Sequence, residues 1–409
     1  MSPEVHAVLA ELLPWPEDGS RADGPVAVDA TDRLLLDEAA PLIERDPGGV
    51  VVVGDRFGAL TLGALALGAR DVRVHQDAVT AEAALVANAP RASRELWTGH
   101  DTLEPALLAG ARLVLLQLPT SLAELTEVAE HVARYADPSV TLLAGGRVKH
   151  MTRAMNDVLG ASFARVGASL ARQKSRLLIA RDPRSDVGPL TYPVTARLTD
   201  PEILGAIGAA RTPDAGLAVV AHGAAFAGAT LDLGTRFLLA QAHRWPDLPA
   251  SPPSDPAVAI DLGCGTGILA TVLALRYPHA HVLATDRSAA ACASAAATLA
   301  ANDVRADVVR GDAGDALPLP DGSADLVLLN PPFHDRAALS TDAAHRMFAA
   351  AGRLLREGGE LWTVFNTGLH HRRALERVVG PTEHVAQDPR FTVTRSMRKA
   401  LTDKSVTGR

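Results

Sequence analysis

The sequence predicts an α/β fold with two tandem, doubly wound, Rossmann-like domains. Its 409 residues exceed the length of one ordinary domain and suit two. Short apolar runs rich in Val, Ile and Leu alternate with Ala- and Leu-rich helical stretches, as in βαβ units. The runs occur twice with similar spacing, because 64 residues separate Val53 from Gln117 and 69 separate Asp261 from Asn330. This repetition predicts an internal duplication.

Each half contains several strand candidates in order. In the first half we predict strands within 48–55, 69–77, 111–119 and 140–146. In the second half we predict them within 257–267, 280–286, 306–312, 324–333 and 358–366. Two later segments predict an antiparallel hairpin at a sheet edge, 382–387 and 390–397.

Turn and breaker residues mark the boundary between the halves. The segment "RDPRSDVGPLTYP" at 181–193 predicts the change of domain. We therefore expect one domain over 1–185 and another over 190–409. The proline-rich segment 244–256 predicts a surface connection just before the first strand of the second sheet.

Composition limits the class of protein. Nearly half of the residues are hydrophobic, but no apolar run approaches the ~18 residues that cross a bilayer. The first 20 residues lack the basic start and long apolar core of a signal peptide. Cys264 and Cys292 are too few for a disulfide framework or a thiolate zinc site. We therefore expect a cytoplasmic monomer without a metal site or a membrane partner.

A glycine-rich turn follows the first strand of the second half. The glycines of "DLGCGTG" would let the backbone approach a ligand at a helix N-terminus, although dinucleotide sites and packing turns use the same pattern. Asp286 and Asp312 end the next two strands, where they could accept from ribose hydroxyls and from an adenine amine. Together these features predict an adenosine-containing cofactor. The predicted cofactor-binding residues here are Asp261, Gly263, Gly265, Gly267, Asp286 and Asp312.

The fourth strand of this half ends at "NPPF", residues 330–333. Pro331 prevents further ladder pairing, so the Asn330 side chain and the Pro331 carbonyl would form two fixed acceptors. Two acceptors suit one planar –NH2 group, whose nitrogen lone pair would then point at an electrophile. An adjacent aromatic ring could stack on a nucleobase. The predicted catalytic residues are Asn330, Pro331, Pro332 and Phe333.

These motifs carry a resemblance to a known family. "DLGCGTG", Asp286, Asp312 and "NPPFH" resemble the motifs of class I S-adenosylmethionine-dependent methyltransferases that act on amino groups. With "AAFAGATLDLGTRFLLAQ" at 224–241, they resemble the ribosomal RNA (guanine-N2)-methyltransferases with two tandem methyltransferase-like domains. Segments 55–65 and 142–160 are more similar to the large-subunit (23S) branch than to the small-subunit (16S) branch. The resemblance implies S-adenosylmethionine as the cofactor.

The resemblance also implies a segment that closes over the cofactor. Phe226, Asp232 and Thr235 occupy the corresponding positions here, and they are added to the predicted cofactor-binding residues. From the residues alone, "LDLGTRFLLAQ" predicts an amphipathic helix with an aspartate near its start.

The first half departs from these motifs. Its loop "VGDRFGAL" has only Gly54 and Gly58, with Arg56 and Phe57 where a cofactor needs bare backbone. Its fourth strand ends at "LLQLPTS", where Gln117 and the next residues replace the two acceptors. We therefore expect a degenerate methyltransferase-like domain that has lost cofactor binding and catalysis. It would position RNA or only stabilise the second domain.

The net charge is −7, but the basic residues are clustered. Nine Lys or Arg and two acids lie within 145–184, six basic residues and one acid lie within 390–409, and "HHRR" spans 370–373. Most charge runs are solvated helix faces, but three clusters in an acidic chain favour contact with a phosphate backbone. The predicted RNA-binding residues are Arg147, Lys149, Arg153, Arg172, Lys174, Arg176, Arg398 and Lys399.

The combined prediction is an enzyme that methylates the exocyclic N2 of a guanine in ribosomal RNA, 23S rather than 16S. The nearest alternative is the same chemistry on adenine N6 or a protein glutamine amide, although such enzymes more often carry Tyr at the position of Phe333 and lack an inactive twin domain. A dinucleotide-dependent oxidoreductase would explain the glycine-rich turn but not "NPPF". A non-catalytic RNA-binding or assembly protein is a third alternative.

Overall fold

A computed structural model describes residues 2–15, 25–186, 188–208, 216–248, 256–332 and 337–399, apart from the side chains at positions 92 and 337–342. The chain divides into two compact units. Unit 1 comprises Met1–Pro193 with His222–Ala224, and unit 2 comprises Val194–Ala221 with Ala225–Arg409. The division after Pro193 falls at the end of the breaker segment. Within the described ranges, no helix has both the length and the apolar character that a membrane span requires.

Unit 1 alternates helices and strands. Its elements in chain order are α1 (Pro3–Glu11), α2 (Ala30–Arg45), β1 (Val50–Val53), α3 (Ala59–Ala66), β2 (Val72–His75), α4 (Val79–Asn88), β3 (Trp97–His100), α5 (Pro105–Leu108), β4 (Leu113–Gln117), α6 (Leu122–Tyr135), β5 (Thr141–Arg147), α7 (Arg153–Ser162), β6 (Phe163–Ala168) and β7 (Ser175–Pro183).

The seven strands of unit 1 form one sheet in the order β3-β2-β1-β4-β5-β7-β6. The strands from β3 to β5 are parallel, and β7 runs antiparallel to both of its neighbours. Alternate residues of β1 enter different cores: Val50 and Val52 pack with α1, α2 and α3, and Val51 and Val53 pack with α5, α6 and α7. Burial on both faces explains why this strand is a continuous apolar run.

Unit 2 has the same alternation after a short two-stranded sheet. Its elements are β8 (Val194–Leu198), α8 (Pro201–Ile207), β9 (Leu217–Ala221), α9 (Leu233–Leu239), β10 (Val258–Leu262), α10 (Ile268–Arg276), β11 (His281–Asp286), α11 (Ala289–Ala301), β12 (Asp307–Arg310), β13 (Ala324–Leu329), α12 (Ala337–Leu354), β14 (Leu355–Asn366), α13 (Arg372–Val378), β15 (Thr382–Gln387) and β16 (Phe391–Met397).

The main sheet of unit 2 has the order β12-β11-β10-β13-β14-β16-β15, which repeats the order of unit 1 strand for strand. The strands from β12 to β14 are parallel, and β16 is antiparallel to both of its neighbours. Ala259 packs with α8, α9 and α10, whereas Val258 and Ile260 pack with α12 and α13. Both doubly wound sheets and the terminal hairpin are therefore confirmed, and the matching orders support the duplication.

Five of the described strands were not predicted from the sequence, namely β3 and β6 to β9. Most residues of β6 are exposed, so this strand lacks an apolar run, and β7 continues to Pro183, inside the segment predicted as a boundary. Among the described strands, β8 and β9 pair only with each other. Asn302, the residue that follows α11, completes the backbone pairing of β9, since its side chain accepts from the N–H of Ala218 (3.0 Å) and donates to the carbonyl of Ala218 (2.7 Å). Such pairing leaves no local signal in the sequence.

The structure corrects one member of the third predicted basic cluster, "HHRR" at 370–373: His371 is buried, whereas His370, Arg372 and Arg373 are exposed. His371 is 4% exposed, and its ring lies 5.1 Å from that of Phe348, 5.3 Å from Phe365 and 5.6 Å from His345 between centroids. Burial lowers the pKa of His371 to about 4, and His345 adds to the shift. His371 is therefore a neutral core residue near neutral pH and does not belong to a basic surface.

Replacing His371 with Phe should make the folded state less sensitive to acid. Below about pH 6.5 the unfolded chain binds a proton at His371, whereas the folded chain binds it only near pH 4. The parent therefore loses stability as the pH falls through this window, and the variant loses less. Denaturant unfolding at about pH 7.5 and about pH 5 measures the difference. His370→Asn, which changes the exposed neighbour, is the control. If the free energy of unfolding of His371→Phe differed from that of the parent by the same amount at both pH values, the lowered pKa of His371 would be contradicted.

Candidate active site

Parallel pairing brings the ends of three strands of unit 2 to one edge of the sheet. Leu262, the last residue of β10, is in register with Thr285 of β11 and with Leu329 of β13. The next residues along each chain segment are the glycine-rich loop, Asp286 and Asn330. Three of the motifs predicted from the sequence therefore lie side by side at the carboxyl edge, where ligands bind in open α/β sheets.

Backbone hydrogen bonds fix the glycine-rich loop. The N–H groups of Gly263 and Cys264 donate to the Thr285 carbonyl at 2.8 and 2.9 Å. Gly265 has φ 51°, and a Cβ added there would meet no described atom within 4 Å. Gly267 has φ 77°, but a Cβ there would lie 2.8 Å from Cα of Ala295. The loop therefore opens to a ligand at Gly265, whereas Gly267 permits close packing of α10 against α11.

Asp261 is a buried carboxyl group at the base of this loop. It is 1% exposed, and its Oδ2 accepts from the N–H of Ala270 in the first turn of α10 at 2.8 Å. In the described part of the chain, its buried Oδ1 has no hydrogen-bond partner. Burial raises the pKa of Asp261 to about 7, and the nearby Asp286 carboxylate adds to the shift. An unpaired buried acceptor of this kind suits a ligand that brings a donor.

Asp286 and Asp312 are half-buried at the ends of the next two strands. Asp286 holds the loop, because its Oδ2 accepts from the N–H of Gly265 and its Oδ1 from that of Ser288, both at 3.0 Å. Each carboxylate oxygen can accept a second hydrogen bond. Asp312 forms an ion pair with Arg346, with Oδ2 3.5 Å from Nε. Both carboxylates therefore lie at the predicted edge, and Asp286 also organises the glycine-rich loop.

The Asn330 carboxamide is held by the first turn of α9. Its Nδ2 donates to Oδ2 of Asp232 and to Oγ1 of Thr235, both at 2.9 Å. Asp232 is the N-cap of α9 and also accepts from the N–H groups of Gly234 (2.9 Å) and Thr235 (3.1 Å). The predicted amphipathic helix and its aspartate are confirmed. The structure brings Asp232 and Thr235 to Asn330, a contact that the sequence did not indicate.

The other end of this carboxamide is unpaired. Asn330 Oδ1 is shielded from solvent and has no hydrogen-bond partner among the described residues. Pro331 is buried and Pro332 is exposed, and both follow Asn330 directly beyond the end of β13 at Leu329. Phe333 lies outside the described residues, and its predicted role stays a prediction. Phe226 is 52% exposed on the connection that leads to α9.

The corresponding edge of unit 1 is filled by its own side chains. Arg56 Nη2 lies 3.0 Å from Asp29 Oδ2 and 3.4 Å from Asp32 Oδ2. Gln117, at the end of β4, donates its Nε2 to Oδ1 of Asp32. Burial raises the pKa of Asp32 to about 7, although Arg56 opposes this shift. The guanidinium and its carboxylates thus occupy the position where unit 2 has a bare glycine loop.

The loop of unit 1 has the same length but a different composition, since five residues separate β1 from α3 and five separate β10 from α10. Asp55 resembles Asp261 in capping the next helix, since its Oδ1 accepts from Gly58 N–H (3.1 Å) and its Oδ2 from Thr61 N–H (2.8 Å). Asp55 lies in the loop, three residues before Gly58, whereas Asp261 lies in β10, six residues before Gly267. Both oxygens of Asp55 are bonded within the chain. The geometry supports the prediction that unit 1 is degenerate.

Several predicted RNA-binding residues of unit 1 lie together. The β5–β7 register pairs Gly146 with Arg176 and Arg147 with Ser175, and the N–H of Val148 donates to the Lys174 carbonyl at 2.9 Å. We call the resulting group, on the ends of β5 and β7, the basic strand ends. Its members are Arg147, Lys149, Lys174 and Arg176.

The remaining four predicted RNA-binding residues are dispersed. Arg172 is paired with Asp37 at 3.2 Å, and Arg153 is exposed at the start of α7. In unit 2, Arg398 is half-buried and donates to the Val378 carbonyl at 3.4 Å, and Lys399 is exposed.

The prediction missed Gly234, which determines how closely α9 approaches Asn330. A Cβ at this position would lie 3.1 Å from Asn330 Oδ1 and 3.0 Å from Asp232 Oδ2, tighter than ordinary contact. The signal was local: in "DLGT", an aspartate N-cap is followed by glycine and then by threonine at the third helical position. Such a helix start can present a carboxylate and a hydroxyl to one partner.

Two family models match the chain. The model described as RLMG N-terminal domain matches residues 11–184, and the model described as Methyltransferase small domain matches residues 216–395. A solved structure, the T. thermophilus 16S rRNA N2 methyltransferase in complex with AdoMet and guanosine, superposes with a TM-score of 0.70 at 20% identity. The match covers 96% of this chain and 99% of that one, and it shows the shared fold.

Curated relatives are similar over nearly their whole length. A Streptomyces coelicolor protein is 36% identical over 405 residues, which is 97% of this chain and 100% of the relative. Relatives from Streptomyces avermitilis and Pseudomonas syringae are 35% and 34% identical, each over 95% of this chain and 97% of the relative. All three are named ribosomal RNA large subunit methyltransferase G. This chain therefore belongs to the ribosomal RNA large subunit methyltransferase G family.

Proposed function

We propose that this protein transfers a methyl group from S-adenosylmethionine to the exocyclic N2 of a guanine in ribosomal RNA. The observation that carries the proposal is the Asn330 carboxamide, which holds a shielded acceptor oxygen with no partner in the described ranges. It lies beside the glycine-rich loop on the carboxyl edge of the sheet. The relatives are named for large-subunit RNA, which supports 23S rRNA as the substrate. Two free thiols fit a reducing cytoplasm.

The residues around the loop fit this cofactor. Open space beside Gly265 lets the backbone approach a ligand, and the N-terminus of α10 follows directly. The unpaired Oδ1 of Asp261 can accept from an ammonium group, and Asp286 can accept from ribose hydroxyls. Asp312 remains the proposed acceptor for the adenine amine. When bound, the cofactor supplies a methyl group on a positively charged sulfur.

Asn330 and Pro331 are proposed to prepare the target amine. The N2 lone pair of free guanine is delocalised into the ring, which makes this amine a poor nucleophile. Accepting its two hydrogens at Asn330 Oδ1 and the Pro331 carbonyl draws the nitrogen towards tetrahedral geometry and directs its lone pair at the methyl group. Because Oδ1 is shielded from solvent, the incoming base must displace the groups that cover it. Exclusion of water then strengthens the hydrogen bonds.

Two aromatic residues are proposed to contact the bound molecules. Phe226 would cover the cofactor, since it is half-exposed on the connection to α9. Phe333 would stack on the guanine, a contact worth about 1–3 kcal/mol for a base on an aromatic ring. A guanine inside an RNA helix must first be unstacked to reach this site.

Unit 1 is proposed to bind the RNA that carries the target guanine. The basic strand ends group four cations at the carboxyl edge of its sheet. Cations in such a cluster contact phosphates without reading the sequence. Arg153, Arg172, Arg398 and Lys399 are proposed to extend these contacts.

Asn330→Ala should abolish most methyl transfer while leaving cofactor affinity unchanged. The variant removes the acceptor for the amine, and removing one such group lowers kcat by roughly 10²–10³-fold. Purified protein is incubated with radiolabelled S-adenosylmethionine and protein-free 23S or 16S rRNA, and the RNA is digested to nucleosides. We expect label in N2-methylguanosine from 23S rRNA. Label in N6-methyladenosine, or a variant as active as the parent, would overturn the proposal.

Two glycine variants separate cofactor binding from packing. Gly265→Ala places a methyl group in the open space and should weaken S-adenosylmethionine binding by about tenfold, or about 1.4 kcal/mol. Gly267→Ala presses on the backbone of Ala295 and should lower the free energy of unfolding by roughly 2–4 kcal/mol. Calorimetric titration and denaturant unfolding measure both effects. Parent-like cofactor affinity in Gly265→Ala would refute the assignment of the loop.

Reversing two charges in the basic strand ends should weaken RNA binding. Lys149→Glu with Lys174→Glu should raise the Kd for 23S rRNA by about tenfold or more and reduce its salt dependence. Cofactor affinity should not change. Arg70→Glu, an exposed reversal just before β2 at the opposite edge of the same sheet, is the matched control. Equal loss of RNA affinity in both proteins would indicate a non-specific charge effect instead.

A further inference from the structure

The proposed chemistry requires one of two orientations of the Asn330 carboxamide. The two ends of a carboxamide have nearly the same shape, but only the oxygen can accept a hydrogen from an amine. If the group turned by 180° about its last bond, it would present an –NH2 donor to the target –NH2. Two donors cannot form a hydrogen bond. Some part of the protein must therefore fix the orientation.

The first turn of α9 provides this constraint. Both hydrogens of Asn330 Nδ2 are used, because one is accepted by Asp232 Oδ2 and the other by Thr235 Oγ1, each at 2.9 Å. A carboxylate has no hydrogen to donate, so the reversed carboxamide would place two oxygens together without a hydrogen between them. The observed orientation leaves Oδ1 as the unpaired end.

The carboxylate that selects this orientation is itself held in place. Oδ2 of Asp232 accepts from the N–H groups of Gly234 and Thr235 as well as from Asn330. Hydrogen bonds to an ionised acceptor are stronger than neutral ones. The missing side chain at Gly234 allows the carboxamide to pack against the helix start, where a Cβ would lie 3.1 Å from Asn330 Oδ1.

Unit 1 contains the same contact at the corresponding strand end. Gln117 at the end of β4 donates its Nε2 to Asp32 in α2, the helix that precedes β1. In unit 2 the helix that precedes β10 is α9, and Asn330 follows β13. The amide-to-carboxylate contact is therefore a feature of the duplicated architecture. In unit 1 the Asp32 carboxylate also pairs with Arg56. A Cβ added at either glycine of the loop, Gly54 or Gly58, would meet other atoms within 4 Å.

We propose that Asp232 and Thr235 are positioning residues, which fix the Asn330 carboxamide so that Oδ1 accepts from the target amine. The inference rests on the proposed function and deepens it. It differs from the role implied by family resemblance, in which both residues contact the cofactor. Loss of either contact lets the carboxamide turn, so a fraction of the enzyme presents the wrong end to the substrate.

Thr235→Val and Thr235→Ser form a matched pair for the test. Valine has the shape of threonine without the hydroxyl, so it leaves one hydrogen of Asn330 Nδ2 unpaired. Thr235 is only 9% exposed, so water has little access to replace the lost hydrogen bond. We expect kcat on 23S rRNA to fall by roughly tenfold in Thr235→Val, with an unchanged Kd for S-adenosylmethionine. Serine keeps the hydroxyl and should restore most of kcat.

Asp232→Asn provides a second variant that retains the helix cap. Asparagine is as good an N-cap as aspartate, so the fold of α9 should persist. Its neutral amide can present either end to Asn330, which weakens the preference for one orientation. We expect kcat to fall again without a change in cofactor affinity. Thermal unfolding of each variant separates loss of orientation from loss of structure.

A double-variant cycle with Asn330→Ala decides between positioning and cofactor contact. If Thr235 acts through Asn330, Thr235→Val should cause no further loss of kcat in the Asn330→Ala background. Equal losses in both backgrounds, or a weaker Kd for S-adenosylmethionine in Thr235→Val, would overturn the inference. A parent enzyme that labels no guanine in rRNA would instead contradict the proposed function. The two failures are therefore distinguishable.

Discussion

Parallel pairing of β10 with β11 and β13 is the constraint on which the site depends. It brings the glycine-rich loop, Asp286 and Asn330 to one edge, although the loop and Asn330 are more than 60 residues apart in the chain. Burial of both sheet faces fixes the register, since a one-residue slip would move apolar side chains to the wrong core. Packing of the sheet therefore positions the site, and the residues at the strand ends determine its chemistry.

The two units share one architecture and differ in the side chains at the carboxyl edge of the sheet. Their strand orders match, and both place a strand-end amide against a carboxylate of the preceding helix. In unit 1, Arg56 of the corresponding loop pairs with Asp29 and Asp32. The carboxylates of Asp32 and Asp55 in unit 1 accept hydrogen bonds within the chain at both oxygens, whereas in unit 2 the described residues leave oxygens of Asp261 and Asn330 unpaired. Unpaired buried acceptors mark the unit that is equipped for ligands.

Much of this could be predicted from the sequence, because strands buried on both faces and glycine-rich turns have local patterns. The predicted motif residues Gly265, Asp286 and Asn330 do meet at one edge. The contact of Asn330 with Asp232 could not be predicted, since it joins residues 98 positions apart and depends on α9 packing near β13. The burial of His371 could not be predicted either, because a histidine within the basic run "HHRR" carries no local sign of burial. Strand β6 was missed because its side chains are mostly exposed.

In the proposed mechanism, Asn330 presents its oxygen to the N2 amine of a guanine. A crystal structure of the parent with a non-reactive cofactor analogue and guanosine tests it most directly. We predict guanine N2 at about 3 Å from Asn330 Oδ1 and from the Pro331 carbonyl, with Nδ2 still facing Asp232. A base bound elsewhere, or a carboxamide turned so that Nδ2 faces the base, would contradict it.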